Sequence, residues 1–393
     1  MPEFIAGNRL TLLNSGREYF PALIAAIDAA SREIFLESYI FAADAIGNQV
    51  AAALARAADR NVAVRVLVDG FGARDFPAQF GERLRAAGVQ FLIYRQEVAR
   101  FRLRRHRLRR LHRKLAVIDA RLAFVGGINI IADDNAPPAL RPRYDYAVQV
   151  EGPLVPHIRR AMQRMWEIVA WASFKRRYRL PPHDPCPDCP VIEGQQRAAF
   201  LLRDNIRHRN DIANAYLDAI QQARDSVLIA NAYFLPGWRF RHALRAAVQR
   251  GVQVTILLQG QTDHPLLHYA TQALYGALLD EGIRLFEYRR SFLHAKVAVI
   301  DDHWATVGSS NIDPFSLLLA KEGNVVVDDH DFAAALRHSL ETAMATGAVE
   351  LTRAELGRQS LPSRLLRWLC YGVVRLFVGA AGYGPRHWQG DTQ

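Results

Sequence analysis

Lysine is nearly missing from this chain: of 50 basic residues, four are lysines (Lys114, Lys175, Lys296 and Lys321) and the other 46 are arginines. Arginine supplies a planar fork and lysine a compact ammonium, so a position that keeps lysine here is one where a point charge is wanted. Cysteine is as scarce, and three in 393 residues make no disulfide framework, which predicts a reducing compartment. The opening "MPEFIAGNRLTLLNSGREYF" lacks a basic segment followed by an apolar run, so neither a secretory signal nor an N-terminal membrane span is expected. Acidic residues also fall short, 39 against 50, and the net charge of +11 predicts a polyanionic partner, nucleic acid or an anionic membrane surface.

What is present is a duplication. "ALARAADRNVAVRVLVDG" from Ala53 is echoed by "ALRAAVQRGVQVTILLQG" from Ala243, and "AIDAASREIFLESYIF" from Ala26 by "AIQQARDSVLIANAYF" from Ala219. Each reads as helix, turn and apolar strand, and alternating units of this kind predict an α/β fold, a mixed β-sheet sandwiched by helices in each half. The expected division is a first half over 1–175, a proline-rich linker over 176–195, a second half over 196–345 and a C-terminal tail over 346–393. In the linker, Cys186, Cys189 and His183 lack the further ligands that a zinc site needs, and they are read as loop residues.

The two copies agree best at "HRKLAVID" from His112 and "HAKVAVID" from His294. In a strand, residues two apart share a face, so His112 and Lys114 look one way, as do His294 and Lys296. Asp119 and Asp301, counted with the catalytic motif, lie at odd spacing from their histidines, and parity gives them a structural place at the strand end. "VGGINI" and "VGSSNI" put Asn129 and Asn311 at the same spacing after each histidine, and with Ser309 they are the expected phosphate binders. Two imidazoles, two ammoniums and two amides converging between the halves make a phosphodiester site. One neutral ring can attack phosphorus while the other protonates the leaving oxygen, with lysine and asparagine taking the negative charge, so no metal and no other cofactor is required. Asp145 and Glu322, each heading a strand that follows its own motif, are candidates to hold the rings in the right tautomer. An ordinary strand-entry salt bridge is the competing reading for both.

The first half carries an extra stretch, "RFRLRRHRLRRLHRK" from Arg100, with no acidic residue in it. It is expected to form a positive rim that gathers anionic substrate.

The paired HxKxxxxD motifs, each followed by a glycine element and asparagine, resemble those of the phospholipase D superfamily. More narrowly, "HRKLAVIDARLAFVGGIN", "RDNIRHRNDIANAYL" and "HAKVAVIDDHWATVGSSNIDPFSL" resemble the bacterial cardiolipin synthases that lack N-terminal transmembrane helices. The resemblance runs from about Gly7 to about Leu340. It implies an active site between the halves, with His112 as nucleophile and His294 as general acid and base. It also implies transfer of a phosphatidyl group between two phosphatidylglycerol molecules, with phosphatidylethanolamine as a second candidate donor. Head-group hydrolysis stays open as an alternative. A nuclease fits less well, because the arginine run is interleaved with Leu103, Leu108 and Phe101 rather than with a series of stacking rings. The implied location is peripheral, on the cytoplasmic side of the inner membrane, and the oligomeric state is open.

A means of reaching the bilayer is offered by "SRLLRWLCYGVVRLFVGAAGYG" near the C-terminus. As a helix it sets Arg364, Arg367, Tyr371 and Arg375 on one arc and Leu365, Leu366, Leu369, Val373, Leu376 and Phe377 on the other, the pattern of an interfacial helix. A terminal helix packed on the protein's own core is the competing reading.

Overall fold

Uninterrupted apolar runs such as "LAVI" from Leu115 and "VAVI" from Val297 do not alternate, which is the mark of strands covered on both faces. The computed structural model describes residues 2–95, 109–136, 138–180, 193–261, 264–357 and 360–380. The arginine run up to residue 108, the linker cysteines with His183, and the tail from 381 lie outside these residues.

The first half runs β1 (Ile5–Asn14), α1 (Ser15–Ala29), β2 (Glu33–Ser38), α2 (Ala45–Asp59), β3 (Ala63–Asp69), α3 (Phe76–Ala86), β4 (Gln90–Tyr94), β5 (Leu115–Ile118), β6 (Leu122–Gly126), β7 (Arg143–Tyr144), β8 (Tyr146–Glu151) and α4 (Val155–Ala172). The second runs β9 (Gln196–Arg203), α5 (Asp211–Gln222), β10 (Ser226–Asn231), α6 (Trp238–Gln249), β11 (Gln253–Gln259), α7 (Pro265–Gln272), α8 (Tyr275–Asp280), β12 (Arg284–Tyr288), β13 (Phe292–Leu293), β14 (Lys296–Ile300), β15 (Trp304–Gly308), α9 (Pro314–Leu318), β16 (Glu322–Asp328) and α10 (His330–Gly347). It is followed by β17 (Ala348–Glu350), α11 (Arg353–Gly357) and α12 (Leu361–Ala380).

The strands join in the order β17-β12-β11-β10-β14-β15-β16-β9-β1-β8-β6-β5-β2-β3-β4. Read outward from the β9–β1 junction, the seven strands from β9 to β12 match the seven from β1 to β4, with β17 added beyond β12, so an approximate twofold relation passes between β1 and β9. Within each half, β2–β3–β4 and β10–β11–β12 are parallel and the strands carrying the motifs are antiparallel to their neighbours. The α/β class and the mixed sheet in each half are as the sequence predicts.

One central core unites the halves. It holds Val117, Val125 and Val148 of the first sheet, Val297, Val307 and Val325 of the second, and Trp166 of α4 and Leu336 of α10. Two outer cores lie under the remaining helices, one beneath α1, α2 and α3 and the other beneath α5 to α8. Each motif strand is therefore sandwiched, and its end opens at the seam between the halves. The described residues after 345 are tied to the second half: β17 extends its sheet beside β12, and α12 lies along α7.

Candidate active site

Each motif histidine is delivered by a short segment that crosses to the other half. Leu111 forms a parallel bridge with Lys321, and His112 N–H donates to the Lys321 carbonyl at 2.9 Å. Symmetrically, β13 pairs with β7, and His294 N–H donates to the Tyr144 carbonyl at 2.7 Å. The residue before each histidine is braced from its own half: Leu111 N–H donates to Asp69 Oδ2 at 2.8 Å, and Leu293 N–H to Gln259 Oε1 at 2.6 Å. Asp69 and Gln259 end the equivalent strands β3 and β11.

Because each crossing segment pairs with the residues just before the other half's carboxylate, Lys321 before Glu322 and Tyr144 before Asp145, the carboxylates are exchanged. His112 Nδ1 lies 3.0 Å from both Glu322 oxygens, and His294 Nδ1 lies 2.6 Å from Asp145 Oδ2. Both carboxylates are buried. A carboxylate accepts only, so each Nδ1 carries the hydrogen and each Nε2 presents a lone pair until it is protonated. Neither Nε2 has a hydrogen-bond partner among the described residues.

Lys114 Nζ donates to the His112 carbonyl at 2.6 Å, and Lys296 Nζ to the His294 carbonyl, with Asp145 Oδ2 at 3.5 Å from Lys296. Both lysines are buried, at 3% and 0% exposure. Burial disfavours the ammonium and pushes Lys114 down to about 7, with Glu322 opposing and Lys296 adding to the fall; Lys296 is lowered as well, by burial against the pull of Asp145. Burial also lowers both imidazoles, His294 further because Lys296, Arg143 and Lys114 reinforce it, while Glu322 opposes the fall at His112. Asp145 is raised by burial, with Lys296 resisting. The site is thus short of negative charge, and a phosphodiester anion would supply what these cations lack.

Asn129 and Asn311 are buried at 6% and 4% exposure beside the strand ends. Asn129 Oδ1 accepts from Ile40 N–H at 3.0 Å, which leaves its amide hydrogens to donate; Asn311 Oδ1 has no partner among the described residues. Ser309 differs from the expected phosphate binder. Its hydroxyl donates to Glu322 Oε2 at 2.5 Å and accepts from Gly323 N–H at 3.0 Å, so it steadies a carboxylate. The equivalent residue is Gly127, where an added Cβ would sit 2.3 Å from Asp145 Oδ1. Aspartate with glycine and glutamate with serine are two ways of filling one corner.

Asp119 and Asp301, counted with the motif, stand apart from the paired histidines and lysines, at the structural place that strand parity gives them. They stand at the far ends of β5 and β14 from the histidines. Asp119 accepts from the N–H groups of Ser31, Arg32 and Glu33 at 2.8–2.9 Å, and Asp301 from Arg224, Asp225 and Ser226 at 2.9–3.2 Å. Burial alone would raise both carboxyls, but these donors hold them below the usual range. Their φ values of 52° and 51° suit a residue type that enters the left-handed region readily.

Several residues escaped the sequence reading. Asp69 and Gln259 could have been found at the end of the aligned "VLVDG" and "ILLQG". Tyr39 and His112 meet edge to face with ring centroids 5.0 Å apart, Lys114 Nζ lies 5.5 Å from the Tyr39 centroid, and burial pushes the phenol up to about 12. Arg113, inside the first motif, forms a buried pair with Glu37 through bonds of 2.6 and 2.8 Å. The second half has Ala232, Ala230 and Ala295 where the first has Tyr39, Glu37 and Arg113. Among the described residues no group of three or more histidine, cysteine, aspartate or glutamate side chains is placed to hold a metal ion.

The profile of a protein family described as "Cardiolipin synthase, PLD-like domain" matches residues 23–166 and 216–344, which include both motifs. Cardiolipin synthase B of Escherichia coli (strain K12) is 40% identical over 381 residues, covering 97% of this chain and 91% of that protein. Cardiolipin synthase A of Pseudomonas putida is 32% identical over 344 residues, covering 86% and 68%. Among solved structures, phosphatidylserine synthase of Haemophilus influenzae Rd KW20 superposes with a TM-score of 0.67 at 14% identity, over 94% of each chain. Polyphosphate kinase of Porphyromonas gingivalis gives 0.57 at 14% identity, over 95% of this chain and 53% of that one. The structural likenesses speak for the fold.

Proposed function

The chain belongs to the cardiolipin synthase, PLD-like family, and from that premise we propose that it joins two phosphatidylglycerol molecules into cardiolipin and free glycerol through a phosphohistidine. His112 Nε2 attacks phosphorus, and the bond from phosphorus to the head-group glycerol oxygen breaks. His294, protonated at Nε2 in the presence of the anionic substrate, gives its proton to that oxygen. The glycerol hydroxyl of a second phosphatidylglycerol then gives its proton to His294 and attacks the phosphorus, the phosphorus–nitrogen bond breaks, and His112 is regenerated. One phosphodiester replaces another, so no nucleotide is consumed. Lys114, Lys296, Asn129 and Asn311 take up charge on the non-bridging oxygens. Glu322 and Asp145 fix the tautomers and stabilise the imidazolium as it forms.

The observation that carries this reading is the exchanged pair of imidazole–carboxylate contacts, His112 with Glu322 and His294 with Asp145. Two rings held with Nδ1 occupied and Nε2 unoccupied meet the needs of a nucleophile and an acid. Residues 1–175 and 196–345 act as the two halves of one site, 176–195 as their linker and 346–393 as the tail. The protein works as a peripheral enzyme on the cytoplasmic side of the bacterial inner membrane; none of the described helices is long and apolar enough to cross one.

The test is product analysis by mass spectrometry with phosphatidylglycerol vesicles and no added metal. Cardiolipin and glycerol in equal amounts are expected. Phosphatidic acid as the main product would make the enzyme a hydrolase. Vesicles that also contain phosphatidylethanolamine show whether that lipid serves as a donor.

A further inference from the structure

Helix α12 faces the wrong way for a helix that closes a core. The stripe it turns toward the protein contains Arg367, Tyr371 and Val374, the last two buried at 7% and 1% exposure. Leu365, Leu369, Leu376 and Phe377 point outward at 72%, 62%, 73% and 58% exposure, with Trp368 at 57%. Leucines and a phenylalanine repeated over four turns on an outer face form a continuous apolar strip, which a water-exposed surface does not keep without an occupant. With Arg364, Arg367 and Arg375 along its length, the helix carries too much charge to span a bilayer.

Beneath the first turns of α12, between it and α7, α8 and α11, lies a cavity of about 290 Å³ walled by Gln272, Asp280, Arg353, Arg364, Arg367 and Trp368, with other residues. Asp280 is engaged by Arg353 through a two-pronged contact. Arg364 and Arg367 add two further positive charges to the wall, and Arg364 makes no ion pair among the described residues. An apolar strip on the outside and a cationic hollow behind it is the division of a phospholipid into tails and phosphate. The chain's net charge of +11 favours an anionic surface over a neutral one.

We propose that α12 lies in the surface of an anionic phospholipid bilayer, its Leu365–Leu369–Leu376–Phe377 strip among the acyl chains, and that the arginine-walled cavity behind it receives the phosphate head group of one bilayer lipid. This rests on the reading of the chain as an enzyme of phospholipids. It adds a lipid site apart from the motif histidines. Helix α7, along which α12 lies, follows the end of β11, and Gln259 at that end braces Leu293 beside His294. The docked surface therefore lies against the helix that follows β11 in the chain.

The experiment is flotation of the full chain with vesicles of phosphatidylcholine alone or mixed with phosphatidylglycerol. The wild type is expected to float with the mixed vesicles. The triple variant Leu365→Gln, Leu369→Gln, Phe377→Gln changes only exposed positions, so its melting curve should stay as in the wild type while vesicle binding falls at least tenfold. Arg364→Gln should bind, but with its preference for the anionic vesicles reduced severalfold. Unchanged flotation of the triple variant would overturn the docking role. So would a wild-type dimer, seen by light scattering, that the triple variant converts to monomers without loss of flotation, since the strip would then belong to a second copy. Inorganic phosphate that raises the melting temperature of the wild type as much as phosphatidylglycerol vesicles do, with that rise lost in Arg364→Gln, would mark a free-anion site in this cavity and overturn the lipid assignment. Product analysis is scored separately: a wild type that floats but makes no cardiolipin defeats the proposed reaction and leaves the docking surface standing.

Discussion

Glu322 holds His112 at 3.0 Å across a sequence separation of 210 residues, and Asp145 holds His294 across 149. Neither half keeps the carboxylate that its own histidine uses. The chemistry of one ring is therefore set by the fold of the opposite half, and perturbing either carboxylate should be felt at the distant motif.

Glu322→Gln and Asp145→Asn keep the shape of the site and remove the charge that stabilises an imidazolium. Each should lower the turnover of cardiolipin formation by about 10²–10⁴-fold. The double variant should be little worse than the poorer single one, because the rings act in one sequence of steps. Steady-state rates in mixed micelles, with circular dichroism to verify folding, provide the check. Losses below tenfold would separate the carboxylates from the chemistry.

His112→Ala and His294→Ala should both abolish cardiolipin synthesis, but they differ with an activated donor whose leaving group needs no acid, such as a nitrophenyl phosphodiester. His294→Ala should then accumulate a covalent adduct on His112, and His112→Ala should form none. Peptide mapping at alkaline pH, where phosphohistidine survives, distinguishes them. The adduct on His294 instead would exchange the two roles.

Burial pushes the Lys114 ammonium down to about 7 from its ordinary 10.5. Between these values the unfolded chain binds a proton that the folded protein does not, so the ligand-free protein should gain stability as pH rises across this window. Lys114→Met should flatten that slope in thermal melts from pH 7 to 9. A phosphodiester anion reverses the preference, so binding of a substrate analogue should take up protons above pH 7 and weaken as pH climbs. Calorimetry in buffers of different ionisation enthalpy measures the uptake.

Asp119→Ala and Asp301→Ala should each cost about 1–3 kcal/mol in urea unfolding, because three backbone N–H groups lose a common acceptor. Asp119→Asn should cost less, since asparagine tolerates a positive φ and retains one acceptor oxygen. The rate per folded molecule should change far less than in the carboxylate variants.

Glu37→Ala should destabilise the protein by about 3–5 kcal/mol, as it strands the Arg113 guanidinium in the interior. The double variant Glu37→Ala, Arg113→Ala copies the alanines of the second half, and its loss should be smaller than the sum of the two single losses. A double-mutant cycle in denaturant gives the coupling.

Much of this was readable in the sequence. The duplication announced the repeated α/β unit, and strand parity placed His112 with Lys114 and His294 with Lys296 while setting Asp119 and Asp301 apart. The exchange of Asp145 and Glu322 could not be read, because spacing along one half carries no information about which half a strand end will meet. The contact of Ser309 with Glu322 could not be read, because a serine beside a glycine–asparagine element looks the same whether it faces a phosphate or a glutamate. In α12 the two arcs were legible and their orientation was not, since periodicity identifies faces without saying which one the rest of the protein covers.

A pair of identical subunits clasped about a symmetry axis would have to give both imidazoles the same neighbours. Tethering the copies in one polypeptide removes that obligation, and the corner where Gly127 faces Asp145 could drift apart from the corner where Ser309 faces Glu322. Donor and acceptor lipids make unlike demands, so their berths can be tailored one at a time, which a strictly repeated architecture would forbid.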